Sequence, residues 1–429
     1  MHMADALLSP AVGLAADAIS VAAIGISVAR VKKDEFSEKK VPIIGVAGAL
    51  VFAAQMINFT IPGTGSSGHI GGGILLAGLL GGVPAFLSIT AVLIIQCLFF
   101  ADGGLLALGC NVINLGVIPC LLVYPLVFRP LIKSSPADYK RLSAASVISA
   151  IIALELGAFC VVLQTWLSGI SQLPFGTFTA LMLPIHLVIG LVEGVVTAAV
   201  LCFVYKMQPE IISSTLSDSA SDSASGCAPN AVSGSASGSA STTASGSAST
   251  TASTTVSGSA SDTASTTVSG SASAGKLSGV SFKKTLITLA VLAVAAGGVL
   301  TLAASTKPDG LEWAIGKAAE KSTAAGIGAE ADSVIKNGGS IHNTAETGTE
   351  TGATTAIVAD SNIHNAAAEI QEATAILPDY TFASNPENAA GKPVSGIIGA
   401  AVSFAAAGGA GLLISIVKRR KRAEVSADA

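Results

Sequence analysis

The feature that most restricts this chain is a series of long, almost uncharged apolar runs, separated by short polar turns, that fills residues 1–211. A helix needs about 20 apolar residues to cross the ~30 Å hydrocarbon core of a bilayer, and several of these runs reach that length. Only 12% of the 429 residues are charged, against roughly 25% in soluble domains. The runs therefore read as membrane spans and the chain as a polytopic, all-α membrane protein in contact with lipid. The net charge of −4 is dispersed and indicates no nucleic-acid partner. Of six cysteines, five lie inside apolar runs and none forms a CxxC pair, the pattern of buried thiols rather than of disulfides or a zinc site.

Composition divides the chain into three parts. Residues 1–211 are apolar. Residues 212–275 are Ser, Ala, Thr and Gly in imperfect repeats such as SGSASTTAS, which have nothing to bury and read as a flexible linker. Residues 276–429 hold two further apolar runs around a polar, Ala-rich stretch.

Spans are expected near 11–30, 41–59, 84–101, 107–128, 142–167 and 176–205, with the short Gly-rich segment 70–82 left to decide the count. Arg30, Lys32, Lys33, Lys39 and Lys40 follow the first span, and Arg129, Lys133, Lys140 and Arg141 precede residue 142. Such clusters mark the cytoplasmic side. The N-terminus and the loop at 60–69 then lie outside, and an odd number of crossings must lead from that loop to the second cluster. Counting 70–82 as a short crossing buried in protein satisfies this and gives seven spans. By the same rule Lys276, Lys283 and Lys284 precede a span at 285–304, an external segment covers 305–394, and a span at 396–417 ends at Lys418, Arg419, Arg420, Lys421 and Arg422. The linker and the C-terminus are then cytoplasmic.

The chain has five histidines, and this topology puts His2 and His69 on the same outer face. No Lys or Arg precedes Arg30, so the basic region of a secretory signal is missing; Met1 is expected to stay, since a bulky second residue disfavours its removal. An N-terminal Met1-His2 pair then offers the Met1 amine, the His2 amide and the near imidazole nitrogen, which close a five- and a six-membered chelate ring. His69, in the loop NFTIPGTGSSGHIGGG, would supply a fourth nitrogen. Planar nitrogen coordination suits Ni(II), Cu(II) and, less strictly, Co(II). Ser66 and Ser67 are candidates to hydrogen-bond the far imidazole nitrogen.

Other polar residues have less specific readings. Asp102-Gly103-Gly104 and the Asn111 to Asn114 segment sit at outer ends of spans, where they can hold a loop or cap a helix. Glu155, His186 and Glu193 fall within spans; His186 and Glu193 are seven apart, share a helix face and are read as a structural pair. His342 and His364 carry no assigned role. No GxxxxGK[ST] loop occurs, so any ATP hydrolysis belongs to another chain.

At these residues the sequence resembles the M components of cobalt and nickel energy-coupling-factor transporters, the CbiM/NikM family. The resemblance rests on Met1-His2-Met3-Ala4-Asp5, GTGSSGHIGGG, QCLFFADGGLLALGCN at 96–111 and LPIHLVIGLVEGVVTA at 183–198. The tail is similar to the N-type partner of these systems, through Pro308-Asp309-Gly310-Leu311-Glu312 and LPDY at 377–380. The chain thus resembles an M–N fusion, with residues 1–211 the metal-binding part and 276–429 the PDGLE part.

The resemblance implies a seven-span helical bundle like other substrate-binding components, plus a two-span C-terminal module. It implies Co2+ or Ni2+ as cargo rather than cofactor, with Met1, His2 and His69 as ligands and Asn111 in support. It also implies a transmembrane coupling subunit and cytoplasmic ATPases as partners, in a prokaryotic cell membrane. The chain itself would not be an enzyme. The competing readings are an intramembrane hydrolase using Ser66 or Ser67 with His186, and a stand-alone channel or sensor. Planar nitrogen geometry and the PDGLE-like tail lean towards nickel without deciding it.

Overall fold

The computed structural model describes residues 2–33, 41–133, 138–171, 173–212, 281–324, 354–382, 384–385 and 388–427. Met1, His342 and all but the first residue of the expected linker lie outside the described residues.

The apolar runs fold into helices. They are α1 Pro10–Lys33, α2 Val41–Gln55, α3 Gly73–Leu80, α4 Gly82–Phe100, α5 Leu108–Lys133, α6 Tyr139–Ser168 and α7 Phe175–Met207. The tail adds α8 Phe282–Gly298, α9 Gly310–Ala324, α10 Thr354–Thr374 and α11 Gly391–Ala427. Among the described residues six helices are long and apolar enough to cross a membrane: α1, α4, α5, α6, α7 and the Gly391–Leu412 part of α11. Large apolar side chains such as Val21, Leu126, Leu191 and Val195 point outward, as a surface solvated by lipid requires.

The shorter helices sit inside this frame. In α2, residues from Ile43 to Ala53 are all buried. The segment expected as a crossing at 70–82 contains only the eight-residue α3, about 12 Å at 1.5 Å per residue, and every residue of that helix is buried. His69 and Gly103 both lie against His2, yet α4 extends roughly 28 Å along its own axis between them. Residues 70–80 therefore carry the chain down to the depth from which α4 rises.

Glycines set the close contacts. Gly190 and Gly194 on α7 face the Cα atoms of Ile151 and Val147 on α6, where an added Cβ would come within 2.9 and 2.6 Å. This is the small-xxx-small packing that lets membrane helices approach. Gly297 of α8 lies against the backbone of Gly396 of α11, and Gly399 of α11 receives the Phe52 ring of α2. The tail helices thus close around α2. Within α5, residues Ile113–Phe128 are wound with wide i→i+5 turns and contain Pro119 and Pro125; proline cannot donate the usual i→i−4 bond, and wide turns accommodate that loss.

Candidate functional site

The N-terminal segment is threaded into one end of the bundle, beside the end of α4 and the start of α5. Helix α4 ends at Ala101 in the left-handed conformation (φ 54°), turning the chain into Asp102-Gly103-Gly104. A side chain at Gly104 would overlap the Asp5 carboxylate, and one at Gly103 would press on the Asn111 amide. The two glycines form the slot for residues 2–5. In that slot the Met3 N–H donates to Asn111 Oδ1 at 2.7 Å, and Met3 O accepts from Gly104 N at 2.9 Å and from Asn111 Nδ2 at 3.3 Å. The Met3 side chain is fully buried. Asp5 accepts from Ala107 N at 2.8 Å; burial raises its carboxyl above the ordinary value while that bond opposes the rise.

Next to this slot the rings of His2 and His69 stack, with centroids 5.3 Å apart and planes 16° from parallel. His2 Nδ1 lies 3.4 Å from Asp102 Oδ1, and His2 Nε2 is buried with no hydrogen-bond partner among the described residues. His69 Nδ1 faces the Ile70 carbonyl at 3.1 Å. A carbonyl only accepts, so Nδ1 carries the proton and Nε2 the lone pair. Burial lowers the pKa of both imidazoles below the ordinary value, which favours the neutral, metal-binding form. Among the described residues no group of three or more His, Cys, Asp or Glu side chains is placed to hold a metal ion.

The His69 loop is held from beneath. It rises from a short hairpin, β1 Phe59–Thr60 paired with β2 Ser67–Gly68. Glu193 of α7 accepts from Gly71 N at 2.6 Å and Gly72 N at 3.0 Å. Gln55 Nε2 donates to Gly71 O at 2.8 Å and its own oxygen accepts from Gln96 at 3.0 Å. A side chain at Gly68 would strike Ile189.

The tail covers the loop from outside. Ser67 N and Oγ donate to Pro308 O and Lys307 O at 2.8 and 2.7 Å, and Trp313 Nε1 donates to Thr64 O at 2.9 Å. The PDGLE sequence is a reciprocal helix cap: Glu312 N donates to Asp309 Oδ1 at 2.7 Å and Asp309 N to Glu312 Oε2 at 3.2 Å. Asp309 and Gly310 line a small cavity with His69, Gly71 and His186.

Two expectations are corrected. Ser66 and Ser67 do not reach an imidazole: Ser66 bonds Thr64 Oγ1 at 2.8 Å and Ser67 bonds the tail, because the hairpin turns both away from the ring. The His186–Glu193 pair does not form. Glu193 is taken by the loop amides, while His186 Nδ1 faces its own helix at Met182 O, 2.8 Å away. His364, left without a role, has Nε2 at 3.2 and 2.9 Å from the carbonyls of Asp5 and Leu8. Beyond the expected residues, Gln55, Gln96 and Tyr380 also support the site; Tyr380 donates to Asp102 Oδ2 at 2.5 Å. Asn111 was expected to give support, and the Met3 bonds show how it can.

Residues 2–211 match a family model described as the cobalt uptake substrate-specific transmembrane region, and residues 283–346 and 339–416 match the PDGLE domain. A protein of Haloquadratum walsbyi described as a metal transport protein is 34% identical over 49% of this chain and 93% of its own length. A fused nickel transport protein, NikMN, of Archaeoglobus fulgidus is 35% identical over 49% of this chain and 68% of its own. A fused nickel transport protein, LarMN, of Lactiplantibacillus plantarum is 32% identical over 50% of this chain and 67% of its own.

Proposed function

Because the chain belongs to the CbiM family of transmembrane metal-uptake proteins and carries a fused PDGLE domain, we propose that it is the metal-capturing membrane component of an energy-coupling-factor transporter for nickel or cobalt ions. The observation that carries this reading is the stacking of His2 on His69 at 5.3 Å, beside a main chain pinned at Met3 by Asn111. Two imidazoles lie against one another there, next to the first residues of the chain.

In the proposed capture step, Met1 supplies its amine, His2 its amide nitrogen and Nδ1, and His69 its Nε2. The amide–imidazole chelate requires Nδ1 of His2, which here points to Asp102. A half-turn about Cβ–Cγ delivers Nδ1 to the cation and swings Nε2–H to the Asp102 side. The amine and amide release protons on binding, so capture weakens in acid. Glu193, Gln55 and Gln96 hold the loop so that little ordering remains to be done when the ion arrives.

The coupling subunit, the ATPases and the outward-facing N-terminus belong to the same proposal. Their support is the family relationship, the lack of a phosphate-binding loop in the sequence and the placement of the basic clusters. Nickel is the first choice between the two ions. The relatives that share the fused arrangement are nickel transport proteins, and planar nitrogen donors suit Ni(II).

Metal analysis of the purified full-length protein tests the reading. Wild type should carry about one Ni2+ or Co2+ per chain, and His2→Ala and His69→Ala should each lose it while still inserting. Normal metal content in either variant would remove that residue as a ligand.

A further inference from the structure

Tyr380 belongs to the tail, in a short turn over Pro378–Tyr380. Asp379 and Tyr380 both adopt left-handed backbone, with φ of 51° and 59°, a conformation that costs non-glycine residues energy and persists only where the surroundings impose it. The surroundings are visible. Ile376 N and Leu377 N both donate to Phe99 O, at 2.9 and 3.1 Å, and Gln371 Nε2 donates to Gly103 O at 2.7 Å. The Tyr380 ring stacks on Phe100 at 4.9 Å and meets the edge of Phe52 at 6.3 Å. So aimed, its hydroxyl donates to Oδ2 of Asp102 at 2.5 Å. The other oxygen of that carboxylate is the one 3.4 Å from the His2 ring.

We propose that Tyr380 is a positioning residue for metal capture: it fixes the Asp102 carboxylate, and that carboxylate fixes the His2 imidazole. The proposal rests on His2 being a ligand. An imidazole that gives one nitrogen to a metal donates its other N–H to an outer acceptor, which sets ring angle and tautomer and is worth ~10–100-fold in affinity. A carboxylate at the end of a loop can rotate. With Oδ2 held by the phenol, only Oδ1 remains for the ring, and its direction is set by the tail. The tail, more than 270 residues downstream, thereby tunes a site built from the first residues of the chain.

Nickel titration of the full-length protein, by competition with a chromophoric chelator, tests this. Tyr380→Phe keeps the ring packing and removes only the hydroxyl. It should bind one Ni2+ with affinity about three- to tenfold weaker, less than the ~10–100-fold expected for Asp102→Ala, which loses the outer acceptor itself. Asp102→Asn retains an acceptor for the ring and should recover most of the Asp102→Ala loss. Tyr380→Phe added to Asp102→Ala should cost nothing further, because the hydroxyl acts only through that carboxylate. Wild-type affinity in Tyr380→Phe, or losses that multiply in the double variant, would overturn the proposal and leave Tyr380 a docking contact. Metal retained by His2→Ala would instead overturn the ligand reading beneath it.

Discussion

Asn111 grips Met3 at both of its main-chain polar groups, accepting from its N–H at 2.7 Å and donating to its carbonyl at 3.3 Å. A side-chain amide used in this way imitates one rung of a β-ladder and fixes where the preceding residue, His2, must lie. Asn111→Leu has similar volume and no hydrogen bonds. It strands the buried Met3 N–H at about 1–3 kcal/mol, or about tenfold in the population of the threaded terminus, while the Met3 carbonyl keeps its bond from Gly104 N. Nickel affinity should fall by that factor or more. Unchanged affinity would show that the slot of Gly103 and Gly104 suffices by itself.

The α6–α7 pair depends on Gly190 and Gly194. Gly194→Leu would drive a side chain into the Val147 backbone, and overpacking of this kind costs roughly 1–3 kcal/mol. Thermal unfolding in detergent should show a clear drop in midpoint. Gly176→Ala on the same helix meets nothing within 4 Å and should be neutral or slightly stabilising.

Helix α9 is started by Asp309. Asparagine caps as well as aspartate, so Asp309→Asn should leave the amides of residues 310–316 protected from hydrogen exchange. Asp309→Ala should speed their exchange, reflecting a cap worth about 1 kcal/mol. Equal exchange in both variants would mean that packing on the His69 loop, not the cap, holds the helix.

Long elements were legible in the sequence because each is encoded locally. The long apolar runs of residues 1–211 gave their helices within about five residues of the observed ends, whereas in the tail the run expected at 285–304 is the helix Phe282–Gly298 and the one expected at 396–417 is Gly391–Ala427. The basic clusters and the GTGSSGHIGGG loop placed His2 and His69 together, and the structure does stack them. What the sequence did not disclose is pairing across distance. Tyr380 with Asp102, Gln371 with Gly103 and His364 with the Asp5 carbonyl join residues hundreds of positions apart, and no periodicity announces such partners. Glu193 misled for a related reason: a shared helix face suggested His186, whereas unpaired loop amides at Gly71 and Gly72 are better donors for a carboxylate. Ser66 and Ser67 misled because the hairpin that orients them is only two residues per strand, too short to read.

Acid should loosen the His69 loop. The folded-state pKa of His69 is lowered by burial, so the unfolded loop binds more protons below the ordinary histidine value of about 6.5. Stability from this group is therefore complete above that pH and is lost as pH falls below it. Protection factors of the amides at residues 61–72, corrected for the intrinsic exchange rate at each pH and measured without added metal, should fall between about pH 7 and pH 5. A His69→Gln variant should show a flatter dependence. Identical profiles for the two would contradict the assignment.

The central claim is that the cation is enclosed by nitrogens from the very start of the polypeptide and from His69. Three alanines placed ahead of Met1 test it most directly, since every side chain stays, the terminal amine is moved away and no chelate of a free amine with His2 remains. Metal content of the purified wild-type and extended proteins, measured side by side after nickel loading, should fall from about one ion per chain to near zero. Equal nickel in the two would contradict the claim and place the ion elsewhere.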